Sequence, residues 1–178
     1  MNLSNLDSSI KFISINIALI TISDTRKIDD DKSGTLLKKR IKEFGHNVSH
    51  RIIIKDDVEK IKNTLIDFAN NNKIDCIITT GGTGLTGRDS TPEAIKDICQ
   101  KEISGFGELF RQISYKKIGT STIQSRALGS IINNTYTFSL PGSPGACKDA
   151  WDEILKYQLD IRHKPCNFIE IMPRLKEK

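Results

Sequence analysis

The run IDCIITTGGTGLTGRDSTPEAI, Ile74 to Ile95, reads as a strand, a glycine-rich loop and the start of a helix in direct succession. Ile74 to Thr79 is short, apolar and largely β-branched, the composition of a buried strand. In the loop from Thr80 to Ser90, glycines fill three of the four positions Gly81, Gly82, Thr83 and Gly84. Such a loop lets the backbone approach a ligand closely and turns its N–H groups toward it. Thr91 is expected to cap the helix, Pro92 to occupy its first position and Glu93 to face the positive end of the dipole. A loop that feeds a helix N-terminus favours an anion. The competing reading of the glycines alone is a flexible turn without a ligand; the following Arg88-Asp89 pair shifts the balance toward a site.

The same alternation extends in both directions. Ile15 to Ile22 predicts a buried strand, followed by Ser23-Asp24-Thr25-Arg26 and the acidic loop Asp29 to Asp31. Ser33 reads as an N-cap, Leu37, Ile41 and Phe44 as one helix face, and Gly45 as its end. Val48 to Ile54 predicts the next strand. Asp56-Asp57 opens a helix with apolar positions Val58, Ile61, Leu65 and Phe68, which Asn70-Asn71-Asn72 ends. Beyond the glycine loop, a helix is predicted from about Gly105 to Tyr115, with Phe106, Leu109, Phe110 and Ile113 on one side. A hairpin follows, Leu128 to Ile132 and Thr135 to Leu140 about Asn133-Asn134. The closing helix starts near Ser143-Pro144 and carries Cys147, Trp151, Ile154 and Leu155; Trp151 is expected in the core. This order predicts an α/β fold with a mostly parallel sheet and helices on both faces.

The chain has 178 residues, 37% hydrophobic and 28% charged, which suits one domain, expected over 14–178 after an N-terminal extension 1–13. No apolar run reaches the ~18 residues of a membrane span, and Met1 to Ser9 lacks the pattern of a secretory signal. A cytoplasmic protein without membrane contact is expected. The formal net charge of +5 suits an anionic ligand or a lysine-rich surface. No basic stripe interleaved with aromatics supports a nucleic-acid partner. Cys76, Cys99, Cys147 and Cys166 form no C-x-x-C pair and are expected as reduced, mostly buried thiols. His46, His50 and His163 read as ordinary surface or loop residues.

In parallel α/β sheets ligands bind beyond the carboxyl ends of the strands. Three polar loops leave such ends: Ser23 to Arg26, Gly81 to Gly84, and Pro141-Gly142-Ser143-Pro144-Gly145. An aspartate beside a phosphate is repulsive unless a cation intervenes. Arg88 could supply one beside Asp89, and Mg²⁺ another, since that ion commonly uses one or two carboxylates plus substrate phosphates. Asp56, at the end of the neighbouring strand, could reach the same place or simply cap a helix. Asp24 and Arg26 fit either a site or a surface turn.

The run Thr80 to Ala94 resembles the signature of the MoaB/MogA molybdenum-cofactor biosynthesis family. The resemblance extends over Ile22 to Arg26, Asp56-Asp57, Gly105 to Arg111, Ser125 to Leu128 and Leu140 to Ala146. The Gly119 to Leu128 segment and the ending Arg162 to Asn167 are more similar to MoaB than to MogA, whereas Lys55 stands where many relatives have proline. The resemblance implies a three-layer α/β/α sandwich, its mostly parallel sheet carrying a C-terminal β-hairpin element, and homotrimers or hexamers. It also implies contact with other molybdenum-cofactor enzymes. The implied activity is adenylylation of molybdopterin by Mg-ATP, releasing pyrophosphate, with Asp56 and Asp89 as the catalytic and Mg²⁺-binding aspartates. Ser23, Asp24, Gly81, Gly82, Thr83, Gly84, Arg88, Ser125, Arg126, Pro141, Gly142, Ser143 and Gly145 would bind substrate. A non-catalytic molybdopterin-binding protein of the same fold is the alternative, and a related nucleotide hydrolase a third.

Overall fold

The computed structural model describes residues 6–177. Six strands form one sheet: β1 (Asn16–Ile22), β2 (Asn47–Ile54), β3 (Cys76–Thr80), β4 (Lys101–Glu102), β5 (Leu128–Ile132) and β6 (Thr135–Leu140), in the order β2-β1-β3-β6-β5-β4. β2, β1, β3 and β6 run parallel, and β5 is antiparallel to both neighbours. The alternation of side chains along a strand divides the core in two. Ile17 and Leu19 of β1 join Ile78 under α1 (Lys32–Phe44), α4 (Ser104–Ile118) and α5 (Pro144–Ala150). Ala18, Ile20 and Ile22 join Ile77 under α2 (Val58–Ala69) and α3 (Thr91–Ile98). Strands covered on both faces become continuous apolar runs, as Ile17–Ile20 and Cys76–Ile78 are. The result is the expected three-layer sandwich.

The hairpin forms with the expected boundaries. Asn133 and Asn134 take φ of 45° and 63°, the left-handed pair that a two-residue hairpin turn requires. The return strand β6 then inserts beside β3 and carries its following loop to the same sheet edge as the glycine loop.

Several local expectations are corrected. Asp31, not Ser33, caps α1: its carboxylate accepts from Gly34 N at 2.9 Å, while the Ser33 hydroxyl donates to Gly142 O at 2.9 Å. Asp57 caps α2 through Lys60 N, which frees Asp56 from that task. Ser90 occupies the cap position of α3, and Thr91 instead gives its hydroxyl to Gly81 O at 3.1 Å. β3 begins at Cys76 rather than Ile74, and the short edge strand β4 carries no apolar signal that could have revealed it. After α5 the helix continues through a π turn, Trp151–Leu155, with Trp151 buried as expected.

His46 is not a surface residue. It is 2% exposed and packs among Phe12, Phe44 and Trp151. The aromatic neighbours exclude water, and burial pushes its imidazole down to about 4 against an opposing pull from Asp160. His50 is exposed and His163 half-buried. Of the N-terminal extension, Leu6 bridges to His163 and Phe12 rests on Phe44 and His46; positions 1–5 lie outside the described residues. Cys76 and Cys147 are buried, Cys99 is half-buried and Cys166 exposed, all free. Among the described residues no helix is long and apolar enough to cross a membrane.

Candidate functional site

The sheet register sets the site. Thr21 pairs with Thr80 and Thr80 with Leu140, so the loops after β1, β3 and β6 leave the sheet at one level. Their backbones are then packed to contact. Gly81 N donates to Leu140 O at 3.0 Å, and the Thr80 hydroxyl donates to Pro141 O at 3.0 Å. Gly81 has φ of 106°, and a β-carbon on it would sit 2.2 Å from Ile22 O. No other residue fits there. The Gly82 conformation is left-handed as well, with φ of 62°.

A cavity of about 510 Å³ opens over these loops. Ten of the expected residues line it: Ser23, Gly81, Gly82, Thr83, Gly84, Asp89, Ser125, Pro141, Gly142 and Ser143. The opposite wall is formed by Phe110, Ser114 and Ile118 of α4, with Ala146 of α5. Of these wall residues only Phe110 was legible, as a position on one helix face; nothing in their spacing marks a cavity. One end of the cavity is therefore rich in backbone polar groups and the other apolar, with space for a ligand that has both characters.

Asp24, Asp56, Arg88, Arg126 and Gly145 do not line the cavity. Asp56 lies directly behind it: Oδ2 is 2.6 Å from where a Gly82 β-carbon would be, and Oδ1 accepts from Ser90 N and Ser90 Oγ. Arg88 is 73% exposed and ion-pairs with Asp24 across the loop tips, so it is not the cation expected over the glycines. That place belongs to Arg26, the only lysine or arginine among the described residues that line the cavity, which donates to Gly142 O at 3.1 Å. The sequence signal for Arg26 was its place in the first of the three converging loops, where a surface turn competed with it.

Arg126 braces the glycine loop from outside. It donates to Asp89 O at 2.8 Å and Thr83 O at 3.4 Å and ion-pairs with Glu93 of α3. Asp89 turns its carboxylate back onto its own loop, accepting from Thr86 N at 3.0 Å and from the Thr86 hydroxyl. The hydroxyl first, then backbone N–H groups of Thr86 and Gly84, hold that carboxyl below the usual carboxylate range. It is charged at neutral pH.

No cluster of three or more His, Cys, Asp or Glu side chains able to hold a metal occurs among the described residues. The donor set suits a shared ion instead. Asp56 and Asp89 flank the loop beneath Gly82 and Gly84, and Asp56 Oδ2 accepts no hydrogen bond from the described residues. One or two carboxylates are the usual protein share of a Mg²⁺ site completed by substrate oxygens. A larger cleft, about 640 Å³, lies at the opposite sheet end among Asn70, Asn71, Asn72 and Asn133. It contains no glycine cradle.

Known proteins similar to this chain have the same architecture. A family model described as "Probable molybdopterin binding domain" matches residues 18–161. Molybdenum cofactor biosynthesis protein B of Escherichia coli (strain K12) is 42% identical over 160 residues, covering 90% of this chain and 94% of that one. A crystal structure of a molybdenum cofactor biosynthesis protein B superposes with a TM-score of 0.83 at 40% identity, covering 93% of this chain and 98% of the other. The tungsten cofactor synthesizing protein MoaB of Pyrococcus furiosus gives 0.76 at 33% identity, covering 92% and 98%. The chain, with its glycine cradle at the carboxyl edge of the sheet, belongs to the MoaB/MogA family of molybdenum cofactor biosynthesis proteins, on its MoaB side.

Proposed function

We propose that this protein binds molybdopterin in the cavity over the glycine loop and adenylylates it with ATP. An oxygen of the pterin's terminal phosphate attacks the α-phosphorus of ATP. The bond from that phosphorus to the oxygen bridging the α- and β-phosphates breaks, and pyrophosphate leaves with the electron pair. The observation that carries this reading is the placement of Asp56 against Gly82 and of Asp89 against Gly84, two carboxylates packed on one glycine loop. Transfer at phosphorus asks a protein mainly for positioning and charge neutralisation. The cradle and Arg26 hold the reacting phosphates, the apolar wall of Phe110 and Ile118 takes the flat ring system, and Arg126 keeps the loop rigid. Mg²⁺, when bound, neutralises charge between the phosphates and Asp56 and Asp89. Asp24 and Arg88 hold the mouth of the site through their ion pair.

The test is direct. Purified protein, molybdopterin and Mg-ATP should yield an AMP-containing pterin by mass spectrometry. Asp89→Asn and Asp56→Asn should each lose turnover while still binding pterin; unchanged turnover in both would refute the assignment. A binding-only role is the second reading, favoured by one observation: Ser90 and Thr86 already occupy oxygens of both carboxylates, as in groups that merely shape a loop. That reading predicts bound pterin and no AMP transfer in the same assay.

We further propose that the protein is a homotrimer or hexamer. The exposed Leu109, Tyr115 and Ile123 on α4 and the turn after it support association. Light scattering on purified protein decides it; a monomer at micromolar concentration would overturn it.

A further inference from the structure

A second groove lies beside the site, on the other side of the β1 loop. It measures about 530 Å³ and runs over the carboxyl ends of β1 and β2. Its lining includes Ser23, Arg26, Lys27, Arg51, Ile54 and Lys55. Ser23 and Arg26 also line the main cavity, so the two spaces meet at those side chains.

The charge in this groove is unbalanced. Arg51 is spent: it pairs with the buried Asp31 at 3.0 Å and donates to Ile28 O, Asp31 O and the Thr35 hydroxyl. Asp24, the only carboxylate among the described residues of the lining, is held by Arg88. Asp30 accepts the Lys27 backbone N–H rather than its ammonium. Arg26, Lys27 and Lys55 remain, and none forms an ion pair among the described residues. Three uncompensated cations around one concave surface repel each other, and a polyanion laid between them relieves that repulsion.

We propose that this groove is a polyphosphate subsite, taking the β- and γ-phosphates of a nucleoside triphosphate through Lys27 and Lys55, with Arg26 at the junction to the main cavity. The proposal rests on the adenylylation reading for the position of the α-phosphate. The strand order β2-β1-β3 supplies the geometry: the glycine cradle lies over β3 and the groove over β2, with the β1 loop between them. Displacement at phosphorus keeps the attacking and leaving oxygens roughly in line. A nucleophile held at the cradle therefore expels pyrophosphate toward Lys27 and Lys55.

Titration calorimetry with inorganic pyrophosphate, ATP, AMP and molybdopterin tests this on the full chain. Lys27→Ala/Lys55→Ala should weaken pyrophosphate and ATP by about tenfold or more, the scale of lost charge-assisted contacts. AMP and molybdopterin should stay within about twofold of wild type on the same scale. A charge-matched control, Lys39→Ala/Lys42→Ala on α1, should leave all four unchanged. Lys55→Glu should weaken pyrophosphate further. Wild-type protein that ignores pyrophosphate, or a double variant that binds pyrophosphate and ATP normally, overturns the subsite. Weakening of all four ligands alike overturns it too. Lysine-dependent pyrophosphate binding in a protein that never forms adenylyl-pterin would uphold the groove and defeat the reading beneath it. Normal turnover with an unchanged ATP KM in the double variant would do the reverse.

Discussion

Asp56 and Gly82 are locked face to face: a β-carbon at Gly82 would lie 2.6 Å from Asp56 Oδ2 and 2.2 Å from the Thr91 hydroxyl. The cradle's shape and the carboxylate's position are therefore one feature. Gly82→Ala also forces a side chain into φ of 62°. We expect a stability loss of at least about 1 kcal/mol from the backbone alone. Molybdopterin binding should fall far more than stability does, because the loop that lines the cavity must shift to clear Asp56 and Thr91. Binding calorimetry beside a thermal melt checks this; Gly82→Ala with wild-type affinity would contradict the close packing.

Arg126 reaches two carbonyls and a carboxylate through different nitrogens of one planar group. Lysine cannot reproduce that fork. Arg126→Lys should therefore loosen the loop nearly as much as Arg126→Met. The readout is hydrogen exchange over residues 83–90, faster in both variants, with molybdopterin affinity reduced by about tenfold, the effect of losing roughly one such charged bond. Rescue by lysine would show that only the charge matters.

Asp31 and Ser33 give a sharp contrast. Asp31 is fully buried and accepts from Thr21, Gly34 and Arg51, the last only 14% exposed in its side chain. Asp31→Ala leaves that guanidinium without its counter-charge and should cost about 3–5 kcal/mol. Ser33→Ala removes one bond to Gly142 O and should cost about 1 kcal/mol. Denaturant unfolding of the two variants separates them, and equal losses would restore Ser33 as the cap.

His46 makes stability depend on pH. Its folded pKa lies at about 4, below the ordinary value of 6.5, so protons bind the unfolded chain more tightly. The neutral ring's full stability is present above pH ~6.5 and is lost as pH falls toward ~4. Between pH 7.5 and 5.0 this amounts to about 2 kcal/mol. His46→Gln, which cannot titrate, should lack that part of the loss in urea melts at the two pH values. Parallel curves for wild type and variant would contradict burial of the ring.

Much of the architecture was written locally. The apolar runs at Ile17–Ile20 and Cys76–Ile78 are long enough only for strands buried on both faces, and Asn133-Asn134 marks a hairpin because those residues tolerate positive φ. The glycine loop was equally legible, since a backbone that must pass within contact of Ile22 O and Thr91 leaves glycine as its trace. Capping was less so. Asp31, Ser33, Ser90 and Thr91 all have oxygens able to bond a free N–H, and tertiary neighbours chose among them: Arg51 drew Asp31 inward, while Gly142 and Gly81 claimed the two hydroxyls.

The amino-acid sequence by itself determined the strand–helix order, the parallel sheet and the glycine loop at its carboxyl edge, because each follows from side-chain periodicity and backbone freedom within a short window. Only the tertiary structure decided that Arg26 rather than Arg88 lines the cavity, that Phe110 and Ile118 close it, and that His46 is dry. Those outcomes depend on which residues from distant segments arrive at one place, and pairing across the sheet, not spacing along the chain, brings them there.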